Sequence, residues 1–292
     1  MALVEVYRSY RQADCDERAF VLAAVGVQTE QVQLGDGFAL LVPEDALVAA
    51  TMHLEDYNEE KLSRELPPLP MRAHPNAWLG SVGYVFVLVS IAHWATEGLL
   101  GVDWFSSGEL VSDRLRSGEW WRVVTALTLH ADAGHLVANI AFGAVFGYLA
   151  GQLLGPGIAW ASILAAGAAG NLLDGLLMPA THHTIGASTA VFATLGLLAA
   201  FSWRRRSTPA VRWPHRWAPL IAAVALLGLL GAGAEHTDVL AHLTGFLAGT
   251  VVGLLYGSSA IPSSGSAVLQ LLCGAAAVGA IVGAWVCALI RA

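Results

Sequence analysis

From Trp78 onward the chain is a succession of long apolar stretches separated by short polar ones, whereas the residues before it alternate on a much shorter scale. Seven apolar segments stand at 78–100, 122–150, 156–178, 185–203, 217–234, 239–257 and 267–290. A run of about 18 or more apolar residues with few charges is long enough to cross a bilayer as a helix. The pattern therefore predicts an all-α polytopic membrane helix bundle, with six core helices over 78–257 and a seventh helix in the C-terminal 258–292.

The N-terminal part reads differently. Residues 3–7 (LVEVY) alternate as a short strand, and 12–25 (QADCDERAFVLAAV) form an amphipathic helix, apolar at Phe20, Val21, Ala24 and Val25. "VQTEQVQL" and "GFALLV" flank a Gly35-Asp36-Gly37 turn as two strands. "PEDALVAATMHLEDYNEE" starts with a proline and two acids, a helix-opening signal. The β-α-β-β-α order predicts a small soluble α+β domain over 1–58, with its helices on one side of the sheet. A proline-rich linker is expected at 59–77.

Composition supports the division. Hydrophobic residues make up 56% of the 292 and charged residues 13%, against roughly 25% in soluble domains, and the mean hydropathy is +0.60. A net charge of −7 gives no footing for nucleic acid as a partner. Cys15, Cys273 and Cys287 are scattered, without disulfide or metal spacing. The N-terminus has no long apolar core after a basic start, so no cleaved signal peptide is expected.

Charge also predicts orientation. Arg204, Arg205, Arg206, Arg212 and Arg216 follow the fourth segment and are a third of all Lys plus Arg. Basic loops stay on the cytoplasmic side, which puts the N-terminal domain and Arg72 inside too. The loops holding Asp174, Glu235 and Asp238 contain no Lys or Arg and fall outside. The expected location is a bacterial inner (plasma) membrane, N-terminus cytoplasmic. Between the first two segments, Trp104, Phe105, Trp120 and Trp121 suit a membrane interface.

Polar side chains inside a span are costly and are functional candidates by default. Here they are His130, Asp132, His135 and Asn139 around the second segment, Ser188 and Thr189 in the fourth, and His242 and Thr244 in the sixth. All three segments start from the outside. At 1.5 Å rise per residue, His135, Asn139, Ser188 and His242 lie within about 5–15 Å of the outer boundary. Gly245, Gly249, Gly253 and Gly257 recur on the sixth segment and Gly143, Gly147 and Gly151 on the second, rows that let helix backbones approach closely. If the sixth segment's row meets the "GASTA" patch, His242 is carried against Ser188. A serine becomes a nucleophile beside a base, and histidine is the usual one. Asn139, His135 and the Ser188 N–H are candidate donors to an oxyanion. Any one of these residues alone reads as helix packing or capping; their shared depth favours chemistry.

These residues carry a resemblance to the rhomboid intramembrane serine proteases. The pieces are Trp121-Arg122, the H-x4-H-x3-N run of His130, His135 and Asn139, the G-x-S of Gly186 and Ser188, and the A-H-x2-G-x3-G run from Ala241 through His242 and Gly245 to Gly249. The resemblance covers about 78–257. It implies a Ser188–His242 dyad with His135 and Asn139 on the oxyanion side, no cofactor, and cleavage of single-span transmembrane protein substrates near the outer leaflet of the lipid bilayer. Two positions depart from the family pattern. Thr189 stands where a glycine usually follows the nucleophile, and Phe192 where a tyrosine often packs on the histidine.

Other readings belong beside this one. A non-catalytic rhomboid-like protein that binds or escorts membrane proteins would have no need of both Ser188 and His242, and a small transporter would place charge deeper in the bundle. Asp238, four residues before His242, reads as a helix cap with Thr237 rather than as a third catalytic member. His182, His183 and His130 match no common zinc spacing, so no metal is expected. Asp132 faces either the aqueous entrance or a partner. Arg122 reads as an anchor for the first outer loop. Natural substrate and oligomeric state leave no trace in the sequence.

Overall fold

In a computed structural model of the chain, residues 2–35, 37–65, 73–205, 213–231, 238–258 and 266–291 are described. The chain divides into two units, Met1–Pro70 and Met71–Ala292. Asp36, Arg206, Arg212, Thr237, Glu235 and residues 66–72 of the expected linker lie outside the described residues.

In the first unit, strand β1 (Leu3–Ser9) precedes helix α1 (Gln12–Ala24), strands β2 (Glu30–Leu34) and β3 (Gly37–Pro43) follow, and helix α2 (Leu47–Glu65) closes it. The sheet is antiparallel in the order β1-β3-β2. Leu40 and Val42, two apart on β3, share one face. They pack with Leu22 of α1 and with Ala50 and Leu54 of α2. Both helices therefore cover the same face, as the alternation predicts. Residues 59–65, expected in the linker, continue α2, because Lys61 pairs with Glu17 of α1 at 2.7 Å. Lys61, and then Tyr57, hold the Glu17 carboxyl below the usual carboxylate range.

The second unit is helical. Its long helices are α3 (Trp78–Thr96), α7 (Ala133–Leu154), α8 (Pro156–Leu177), α9 (Ser188–Arg205), α10 (Trp213–Gly231), α11 (Val239–Ser258) and α12 (Ala267–Arg291). Between α3 and α7 lie the short α4 (Trp104–Gly108), β4 (Leu110–Val111), α5 (Ser112–Arg116) and α6 (Arg122–Thr125), and the two-residue strand β5 (His183–Thr184) precedes α9. Among the described residues, α3, α7, α8, α11 and α12 are long and apolar enough to cross a membrane. In α10 the apolar stretch is shorter, Trp217–Leu226, and α9 ends in Arg204 and Arg205. The chain is a multi-pass membrane protein.

The second segment starts later than its hydropathy predicts. Residues 122–132 form α6, a 3-10 turn at Ala126–Thr128 and an extended stretch. Here side chains compete with a continuous helix. Thr125 Oγ1 donates to the Gly108 carbonyl at 2.6 Å, and Asp132 accepts the His135 N–H at 2.8 Å as the cap that starts α7. Arg122 is buried. It bonds Glu119 at 2.6 Å, and its guanidinium donates to the Ser106 and Glu109 carbonyls at 3.1 and 2.6 Å. It thus anchors the loop, as expected. Of the four loop aromatics, Phe105 and Trp120 are exposed but Trp104 and Trp121 are core, clustered with Trp285 of α12. The interface reading therefore fails for those two, because the seventh helix packs over them.

The ends of the bundle are tied by side chains. Gln270 of α12 accepts the Gly157 and Ile158 N–H groups at 2.8 and 3.0 Å and donates to the Leu154 carbonyl at 2.8 Å. It satisfies both helix ends at the α7–α8 turn. At the other end β4 pairs with β5, Leu110 opposite Thr184 and Val111 opposite His183. The loop after α3 and the loop before α9 are thereby stitched together.

Candidate functional site

Helix α9 is the buried post of the bundle, enclosed at Thr189–Leu197 and again at Ala199–Phe201. α11 lies against it backbone to backbone. A Cβ added to Gly245 would stand 2.3 Å from the Thr189 carbonyl oxygen, one on Gly249 1.8 Å from that of Ala193, and one on Gly253 2.4 Å from that of Leu197. The offset between the paired residues is the same each time, so the two helices run parallel in a fixed register. Small residues are required for such an approach. Continued toward the N-termini, that register sets His242 level with Gly186 and Thr244 level with Ser188.

His242 is buried one turn into α11. The Phe192 ring lies 4.4 Å from its ring centre at 37°. Phe192 is four residues after Ser188 and so shares its helix face. Ser188 and His242 are thus brought to one end and one face of the α9–α11 pair. Thr244, the other polar residue of this segment, returns its hydroxyl to the Leu240 and Ala241 carbonyls of its own helix.

The turn before Ser188 is held from outside its helix. The Gly186 N–H donates to the Ala126 carbonyl at 2.9 Å, and the Ala187 N–H donates to His130 Nε2 at 3.3 Å. Burial, and then the neighbouring His135, push the His130 imidazole down to about 4, in keeping with a neutral ring that accepts. Gly186 has φ 126°, a left-handed conformation that favours glycine. A Cβ there would stand 2.7 Å from His135 Nε2 and 3.7 Å from Ser188 Oγ. The missing Cβ is what leaves room for the His135 ring beside the Ser188 turn. His135 also meets His130 edge to face at 5.1 Å. Asn139 is buried one turn further along α7, with one amide hydrogen on the His135 carbonyl at 2.9 Å. Tyr84 donates to the Asn139 carbonyl at 2.8 Å. The first intrahelical bond of α9 runs from the Val191 N–H to the Ala187 carbonyl. The N–H groups of Ser188, Thr189 and Ala190 therefore have no acceptor within the helix and carry its positive end.

A rhomboid domain model matches residues 117–259, the stretch that contains His130, His135, Asn139, Ser188, Phe192 and His242. The chain belongs to the rhomboid family. Among its relatives, the chloroplastic rhomboid-like protein 11 of Arabidopsis thaliana is 32% identical over 143 residues, 46% of this chain and 51% of that one. A putative rhomboid protease of Bacillus subtilis is 25% identical over 139 residues, 48% and 68% of the two chains. Rhomboid-like protease 1 of Toxoplasma gondii is 28% identical over 149 residues, 49% of each. The chain spans about half the length of the first of these relatives.

Thr189, a departure from the rhomboid pattern, is buried where three helices meet. Its methyl carbon would lie 2.8 Å from a Cβ on Gly170 of α8 and 2.9 Å from one on Gly245 of α11. Two glycines make the room that a glycine at 189 would not need. Gly170 escaped the sequence reading because its partner row lies on a different helix.

The acidic and histidine residues around the site sort differently from their spacing. Asp132 caps α7. His183 pairs with Glu109 at 3.2 Å, and His130 holds the Ala187 N–H, so neither joins His182. Asp238 caps α11, accepting the Ala241 N–H at 3.0 Å, and its other oxygen meets His182 Nε2 at 2.9 Å. The same nitrogen lies 3.0 Å from Asp174 Oδ2. Among the described residues, Asp174, His182 and Asp238 are the group whose donor atoms could hold a metal ion. Sequence reasoning treated these three separately, since they come from the end of α8, a loop and the start of α11.

Proposed function

We propose that this rhomboid family protein is an intramembrane serine endopeptidase acting on single-span membrane proteins. The observation that carries the reading is the fixed α9–α11 register, which levels His242 with the turn of Ser188 while Phe192 backs the imidazole. The relatives named as proteases support it.

Ser188 Oγ attacks the scissile carbonyl carbon as His242 takes the hydroxyl proton. The tetrahedral oxyanion is met by the Ser188 N–H at the positive end of α9, and by His135 and Asn139 across Gly186. Each such donor contributes on the order of 10²–10³ in rate. Collapse breaks the C–N bond, and His242 returns the proton to the leaving amine. Water, deprotonated by His242, then attacks the acyl-serine and releases the new carboxyl terminus with Ser188 restored. The dyad lies near the outer end of its helices, so cleavage falls close to the outer leaflet. The substrate helix must unwind there, because its amides are otherwise bonded within the helix.

The test is cleavage of single-span substrates by the purified protein in vesicles, wild type against Ser188→Ala, with a fluorophosphonate probe in parallel. Wild-type cleavage and labelling, both lost in the variant, are expected. Equal cleavage by the two proteins overturns the Ser188 dyad, and no cleavage by the wild type across a broad substrate panel overturns the reading and returns the protein to a binding or escort role.

A further inference from the structure

The Asp174–His182–Asp238 group is not used by the proposed chemistry, and its parts do not balance. Asp174 is fully buried, and its Oδ1 has no hydrogen-bond partner. An unsatisfied buried carboxylate oxygen is expensive. Its Oδ2 and that of Asp238 both face the single nitrogen Nε2 of His182, at 3.0 and 2.9 Å. One imidazole N–H cannot serve two carboxylates fully, and a neutral imidazole leaves two negative charges side by side.

The geometry points to a divalent cation site at these three residues, of the borderline first-row type represented by Zn2+. The three donor atoms lie within 4.8 Å of one another. Bonds of about 2.0–2.2 Å to nitrogen and carboxylate oxygen place ligand atoms roughly 3–3.5 Å apart around a tetrahedral ion, close to the 3.0 and 2.9 Å between His182 Nε2 and the two carboxylate oxygens. A dication beside two carboxylates and a neutral imidazole makes a neutral site. It also gives Asp174 Oδ1 a partner if that carboxylate binds through both oxygens. One imidazole with two carboxylates suits zinc or manganese, whereas calcium and magnesium favour all-oxygen sites. His182 and Asp238 retain 17% and 14% side-chain exposure, which leaves a path for the ion and room for a water ligand.

The ion would join three segments. Asp174 lies in the last turn of α8, His182 just before β5 and the Ser188 turn, and Asp238 at the cap of α11, whose carbonyl accepts the His242 N–H at 3.2 Å. Arg116 ties the same corner, donating to the Gly175 and Leu176 carbonyls at 3.2 and 3.1 Å. The ion would act by joining these segments, so the site positions rather than catalyses. It stands whether or not the protein is a protease.

The experiment uses the full chain, free of any histidine tag, in detergent after chelator treatment. Titration with Zn2+ should show one saturable site per chain and raise the melting temperature by about 5 °C at a ~100-fold excess over Kd. Co2+ should give visible ligand-field bands with the same stoichiometry. His182→Ala should lose the bands and the thermal shift. Asp174→Asn should lose the zinc response while melting higher than the metal-free wild type, since it removes a buried charge. No one-equivalent binding by the wild type, or an undiminished response in a folded His182→Ala protein, overturns the site. If the variants fail to fold, the wild-type stoichiometry and Co2+ spectrum alone decide.

Discussion

Thr189 and Gly245 are in contact through both backbone and side chain. A Cβ on Gly245 would stand 2.3 Å from the Thr189 carbonyl oxygen and 2.9 Å from its methyl carbon. The residue after the proposed nucleophile therefore doubles as the floor on which the α11 helix rests. Its threonine is accommodated because α8 and α11 each present a glycine to it.

Gly245→Ala should accordingly push α11 away from α9 and His242 away from Ser188. A displacement near 1 Å can cost on the order of 10²-fold in rate, and overpacking typically costs about 1–3 kcal/mol in stability. Both losses are expected, read as kcat on a single-span substrate and as melting temperature in detergent. Thr189→Gly should lower the melting temperature by leaving a gap against Gly170, yet keep measurable cleavage.

Phe192 backs the His242 ring at 4.4 Å. Such ring pairs contribute about 0.5–1.5 kcal/mol beyond area burial. Phe192→Ala should reduce kcat about tenfold with little change in KM, because it loosens the base and touches no substrate. Phe192→Tyr keeps the packing and should remain within a few-fold of wild type. An unchanged kcat in Phe192→Ala would show that His242 is held by other contacts.

His130 titrates from 6.5 in the unfolded chain to about 4 in the folded one. Between those values the unfolded state binds more protons, so stability rises with pH. The contribution is complete above about 6.5 and falls away toward pH 4, by up to about 3 kcal/mol. The slope of melting temperature against pH over this range should be shallower in His130→Gln, whose amide oxygen can still accept the Ala187 N–H. Identical slopes would assign the acid sensitivity elsewhere.

Gln270 makes three hydrogen bonds to the α7–α8 turn. Gln270→Ala should cost about 1–3 kcal/mol for the polar groups it abandons, visible as a lower melting temperature. Gln270→Glu keeps the acceptor for Gly157 and Ile158 but loses the donor to Leu154, and should fall between.

The legible part of this protein is the part written in single-helix periodicity. The α11 glycine row, the polar residues at shared depth and the alternating strands of the first unit each declare themselves within a short window. The Thr125 bond that helps delay α7 does not, because hydropathy counts apolar residues and ignores a side chain bonding a backbone seventeen residues away. Trp104 and Trp121 mislead for a similar reason. A tryptophan at an interface and one under a neighbouring helix are the same letter, and only the position of Trp285 separates them. Asp174, His182 and Asp238 form no local pattern at all, since three different connections bring them together.

The Gln270 clasp has a consequence for how deep this protein can be immersed. A helical hairpin ordinarily turns where water can solvate its loose N–H and C=O groups. Here one amide side chain stands in for that water on both arms of the turn. The α7–α8 corner therefore loses less on lying below the headgroups than a turn without such a side chain would.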